Sequence, residues 1–134
     1  MLSLPEKRVL WHVKIPATSI WPVLSRASNG RRFARATLEV SQPIGPDNPL
    51  DAESIRGQKL EVFDVADGNM PFTVDADPPL DAGGNFALSP SGKRFAVLRQ
   101  GGIQVFELPA PPPLPGPDPP AANATAPASA QVRP

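Results

Sequence analysis

Residues 86–109, FALSPSGKRFAVLRQGGIQVFELP, decide how this chain is read. Ser91-Gly92 and Gly101-Gly102 are turn formers, and a strand-like run follows each. Much of the stretch occurs twice. Gly30-Arg31-Arg32-Phe33-Ala34 returns 62 positions later as Gly92-Lys93-Arg94-Phe95-Ala96. Leu60-Glu61-Val62-Phe63-Asp64-Val65 returns 43 positions later as Ile103-Gln104-Val105-Phe106-Glu107-Leu108, in the same order. Leu24-Ser25 precedes the first glycine turn as Leu88-Ser89 precedes the second. The first copy therefore holds 19 more residues between its two elements. Residues 41–58, SQPIGPDNPLDAESIRGQ, make up 18 of these. Punctuated by proline and glycine, they read as a loop insertion.

Working outward, period-two alternation marks the remaining strands. In RVLWHVKI, Val9, Trp11, Val13 and Ile15 fall on one side, and Leu10, His12 and Lys14 on the other. Strands are predicted at 7–15, 19–25, 31–40 and 59–65 for copy one, and at 70–76, 85–89, 93–99 and 102–108 for copy two. Short turns such as Ser28-Asn29-Gly30 and Asp67-Gly68-Asn69 demand antiparallel neighbours. Helix is expected only as about one turn in LDAESIRGQ, capped by Asp51 and stopped by Gly57. The fold class is all-β: two four-stranded antiparallel meanders, about 7–65 and 70–108, within a body of residues 1–108.

The rest of the chain is different in kind. Ten of the 20 prolines lie in PAPPPLPGPDPPAANATAPASAQVRP, residues 109–134, which contains no aromatic residue. Proline removes backbone donors, and the small side chains offer little apolar area against ordering entropy. A disordered polyproline II and coil tail is predicted. PPPLP matches ligands of aromatic-groove modules, but such tracts more often act as spacers.

The chain has 134 residues, about one domain, with 13 basic and 13 acidic residues. Zero net charge gives no argument for nucleic acid or an anionic membrane as partner. The charge is uneven: residues 1–40 carry seven basic and two acidic groups, and residues 41–85 carry two and nine. Spread charges of this kind read as solvated surface. There is no cysteine, which excludes disulfides, thiolate metal sites and a cysteine nucleophile. No apolar run approaches the ~20 residues needed to span a bilayer. Glu6, Lys7 and Arg8 interrupt what would be a signal core, so no signal peptide is read.

LSPSGKRFAVLRQGGIQVFEL resembles the WD40 and WD40-like repeat class. The likeness rests on Ser89-Pro90-Ser91-Gly92-Lys93 at the turn and Phe106-Glu107 near the strand end, with Phe63-Asp64 in copy one. It is best over 85–108, extends to 59–84 and is weakest over 7–40. No Gly-His or Trp-Asp dipeptide occurs, so the chain is more similar to looser bacterial propeller repeats than to strict WD40 blades. RVLWHV resembles the tryptophan-containing strand of quinoprotein propellers. The resemblance implies that each meander is a β-propeller blade. Propellers close with about 4–8 blades, so a chain with two is the C-terminal part of a longer propeller, or associates with copies of itself, or collapses into a sandwich; the proline-rich tail directly after the last strand favours the first.

No residue is assigned a catalytic, cofactor-binding or metal-binding role. His12, the single histidine, has no carboxylate or hydroxyl partner in a motif. Asp75-Ala76-Asp77 with Asp81 fails as a calcium loop, because the closing position falls on Phe86, and it reads as an exposed acidic loop. Trp11, Trp21, Phe33, Phe63, Phe72, Phe86, Phe95 and Phe106 are expected to pack within the blades. The expected function is a non-catalytic propeller segment in a protein-interaction scaffold. Its partners would be a protein meeting loop 41–58, or further blades, self-association included. The alternative is the C-terminal part of a quinoprotein or lactonase-like enzyme propeller whose active site lies in other blades.

Overall fold

A computed structural model describes residues 9–80 and 84–116, and among these the chain forms seven strands in two antiparallel sheets. The first sheet holds β1 (Ser19–Arg26), β2 (Arg32–Val40), β3 (Ile55–Asp64) and β4 (Phe72–Ala76), paired in chain order. The second holds β5 (Phe86–Leu88), β6 (Arg94–Arg99) and β7 (Gly102–Glu107), again in order. Both sheets are meanders because every connection but two is a short turn. Glycine at positive φ closes the equivalent hairpins: Gly30 has φ 71° and Gly92 φ 69°. The two exceptions are the excursion between β2 and β3 and the proline-bearing link between β4 and β5.

The repeat is visible in the pairing itself. Arg32↔Asp64, Phe33↔Phe63, Ala34↔Val62 and Ala36↔Leu60 in the first sheet correspond to Arg94↔Glu107, Phe95↔Phe106, Ala96↔Val105 and Leu98↔Ile103 in the second. Backbone hydrogen bonds around the turns repeat at the same offsets. Ala27 N–H donates to Arg32 O and Ser89 N–H to Arg94 O, while Val65 N–H donates to Arg31 O and Leu108 N–H to Lys93 O. The match of Leu24-Ser25 with Leu88-Ser89 is two residues out of step. Arg26 pairs with Phe33 as Leu88 pairs with Phe95, so Arg26 is the true counterpart of Leu88.

Alternation then decides what each face buries. On the first sheet Val23, Ala34, Ala36, Leu60, Val62, Phe72, Val74 and Ala76 point one way. They meet Phe86, Leu88, Phe95, Val97 and Phe106 of the second sheet, with Leu108 completing the core. Phe72 bridges the sheets, its ring centroid 4.9 Å from Phe106 and 5.6 Å from Phe95. The core is a layer between two sheet faces, as expected when each face is apolar on one side.

Four expectations need correction. Residues 9–15 are not a strand: they pair with no neighbour among the described residues, Val9 is 80% and Val13 43% exposed, and of the alternating residues chiefly Trp11 packs on a sheet face. Residues 72–76 belong to the first sheet, because the turn after Asp64, held by Asn69 O accepting from Asp64 N–H, folds them back onto β3. The second sheet consequently has three strands instead of four. The insertion is 41–54, since Ile55–Gln58 extend β3, with Val40 opposite Ile55. Within it, Asp51 caps Ala52–Ser54, a turn of 3₁₀ helix, by accepting from Ser54 N–H. The proline-rich segment does not begin as a free tail. Pro109 O accepts from Arg32 and Pro111 is buried, although 109–116 form no strand or helix. Residues 117–134 lie outside the described residues.

Candidate functional site

The chemistry of this molecule is concentrated on its sheet faces. Arg32 opens β2 on the inner face of the first sheet and is 1% exposed. Its Nε donates to Asp64 Oδ1 at 2.6 Å, and its Nη1 donates to Gly92 O at 2.7 Å and Pro109 O at 2.6 Å. A buried guanidinium is tolerable only with such partners. Beside it, Asn29 N–H donates to Pro90 O and Asn29 Nδ2 to Ser91 O, joining the two glycine turns.

The outer face of the first sheet is closed by the N-terminal segment. Trp11 lies parallel to Phe33, centroids 5.9 Å apart, and stacks on Phe63 at 6.4 Å. Its indole N–H donates to Val65 O at 2.8 Å. Gly68 permits this approach: a Cβ there would lie 2.6 Å from the indole. Arg35 and Glu61 complete the face as an ion pair at 2.6 Å, with the guanidinium 5.0 Å from the Phe63 ring centroid.

The outer face of the second sheet has no such cover among the described residues. Leu98 is 43%, Val105 58% and Ile103 71% exposed, and Ala87 and Ala96 lie between them. Arg94 and Glu107 stand at its rim, 3.9 Å apart and open to water. Among the described residues β7 is an edge strand, with a free ladder side where β3 carries β4.

The other candidates are placed apart from these faces. His12 is exposed on the N-terminal segment. Asp75 sits in β4 rather than in a loop, and with Asp77, Glu39, Arg56 and Lys59 it lines an open depression of about 300 Å³. Asp81 lies outside the described residues. Among those residues no cluster of three or more His, Cys, Asp or Glu side chains has metal-binding geometry, and no helix is long and apolar enough to cross a membrane. Loop 41–54 buries no residue and is held by its own bonds, Gln42 to Asn48 and Asn48 to Pro43 O. Of the aromatic residues expected to pack, Trp21 is 66% exposed, at a kink in β1 with φ 49°.

Sequence reasoning missed Arg32 and which sheet face is left open. Their common signal was present: opposite charges occupy equivalent positions in both copies, Arg32 with Asp64 and Arg94 with Glu107. Comparison with protein-family models, with curated proteins and with solved structures found no match for this chain.

Proposed function

We propose that this chain is a non-catalytic β-propeller repeat segment that serves in a protein-interaction scaffold. The observation that supports the reading is the solvent-exposed apolar face of the second sheet, Leu98, Ile103 and Val105, on a hairpin whose counterpart in the first sheet is packed. Repeats of this kind cannot bury both faces alone and are completed by neighbours. Apolar faces left open on a folded sheet mark protein contacts more often than chemistry.

Lys93 lies in the turn before β6, next to Arg94 at the rim of this face, and is exposed. Lysine-directed cross-linking of the protein isolated from its native source is the test. Cross-links from Lys93 to a β-sheet lying outside residues 1–134 are expected. Cross-links confined to these 134 residues, together with a monomeric mass, overturn the proposal.

A further inference from the structure

The two sheets of this molecule stack in one direction. The face of the first sheet built from Ala34, Ala36, Leu60 and Val62 takes the phenylalanine-bearing face of the second, Phe86, Phe95 and Phe106. At the repeat offsets, the counterparts of Ala34, Ala36, Leu60 and Val62 are Ala96, Leu98, Ile103 and Val105. Leu98, Ile103 and Val105 are exposed, and Ala96 is half-buried beside them. The counterparts of Phe95 and Phe106 are Phe33 and Phe63, which Trp11 covers. The packing is therefore head-to-tail, and its two ends are unlike.

One end is finished. Where the second sheet pairs Val97, packed in the core, with exposed Gln104, the first pairs Arg35 with Glu61, an ion pair suited to a terminal repeat with a polar outer face. The other end is apolar and carries Arg94, in the position where Arg32 donates to Gly92 O and Pro109 O of the next sheet. Among the described residues the Arg94 side chain reaches only Glu107, at 3.9 Å.

We infer that the Ala96–Leu98–Ile103–Val105 face docks a further β-sheet of this repeat type, one with an uncovered phenylalanine pair and a glycine turn whose carbonyls accept from Arg94. The inference deepens the reading of the chain as an interaction scaffold and rests on it. Hydrogen-bond complementarity selects this occupant: the face repeats one whose occupant is visible in the same molecule, down to the arginine at its rim. An intact second copy does not qualify, because its own Phe33 and Phe63 are capped. The face covers roughly 240 Å², taking strands of three, six and six residues about 4.8 Å apart at about 3.3 Å per residue. That is less than half of the ~800 Å² per partner typical of stable complexes, so docking is read by a method sensitive to weak binding.

The probe is an unlabelled full chain carrying Ile103→Lys and Val105→Lys, which disable its own open face, plus Arg35→Val and Glu61→Gln, which give it the second sheet's residues, and Trp11→Ala, which uncovers Phe33 and Phe63. A second probe replaces Trp11→Ala with Gly68→Ala, which forces the indole away and serves if the first fails to fold. Each is titrated into ¹⁵N-labelled intact chain and amide shifts are followed. Saturable shifts confined to Ala96, Leu98, Ile103, Val105 and their strand neighbours are expected with both probes. Arg94→Gln in the labelled chain is expected to weaken binding about tenfold, the loss of a charge-assisted hydrogen bond. No shift from a folded probe overturns the inference. Equal shifts from intact unlabelled chain also overturn it, since the face would then be pairing with a capped copy. If native cross-links from Lys93 reach a partner sheet while both probes stay silent, the scaffold reading stands and this docking geometry falls.

Discussion

Arg32–Asp64 and Arg94–Glu107 are an arginine–carboxylate pair met twice, at equivalent positions of equivalent hairpins. The first pair is closed at 2.6 Å with its side chains 1% and 9% exposed, and the second stands at 3.9 Å with 67% and 85% exposed. Local sequence and register are shared, so neither causes the difference. A neighbouring sheet lies over the first pair, and water lies over the second. Burial removes solvent screening and makes each hydrogen bond obligatory, whereas the exposed pair is screened and replaceable. An ion pair's worth in this molecule is set by what stacks on it.

Matched substitutions in the two copies sharpen this comparison. Val62→Lys places a charge in the layer between the sheets and is expected to cost more than about 4 kcal/mol, leaving much of the chain unfolded. Its counterpart Val105→Lys, on the open face, should stay within about 0.5 kcal/mol. Urea titration followed by circular dichroism measures both, and equal losses would break the comparison. Arg32→Ala strands Asp64 and two carbonyls in the interior and should cost ~3–5 kcal/mol, against no more than about 0.5 kcal/mol for Arg94→Ala. Similar midpoints for the two arginine variants would show that Arg32 is not held as described.

Smaller effects test the boundary of the body. Ending the chain after Leu108 removes Pro109 O, an acceptor for buried Arg32, and is expected to destabilise by ~1–3 kcal/mol. Ending it after Gly116 should leave the urea midpoint unchanged if the body stops there. The smallest pair is Gly30→Ala and Gly92→Ala. Both place a side chain at positive φ, costing about 1–2 kcal/mol. A Cβ at Gly92 would also press to 3.3 Å on the Arg32 Cδ, whereas at Gly30 nothing lies within 4 Å. Gly92→Ala should therefore be the worse of the two, in thermal unfolding as in urea.

Much of the fold was legible because hairpins are local. The glycine turns at 30 and 92 and the offsets of 62 and 43 announced themselves as paired strands, and the pairing repeats at those offsets. Sheet membership was less legible. Residues 70–76 alternate whether they open one meander or close another, and the turn after Asp64, not their own pattern, assigns them to β3. RVLWHVKI alternates equally well, yet it buries chiefly Trp11, through ring stacking and one indole hydrogen bond instead of a ladder. Arg32 was hidden for a different reason. An arginine beside a turn reads as solvated, and only the second sheet, 60 and 77 residues further on, supplies the carbonyls that bury it.

Those separations bear on how the chain folds as it emerges during synthesis. β2 and its arginine are complete long before Pro109 exists, so the first sheet must wait with its inner face wet. Loop closure over such distances is unfavourable until the contacts it brings together form in one step. No stable half-built form is expected, since a first sheet alone would expose Leu60, Val62 and Phe72 together. Arrival of the last carbonyl should instead lock both sheets at once. Heating should accordingly give one transition, with the slowest-exchanging amides of β3 and β6 opening together as a single cooperative unit.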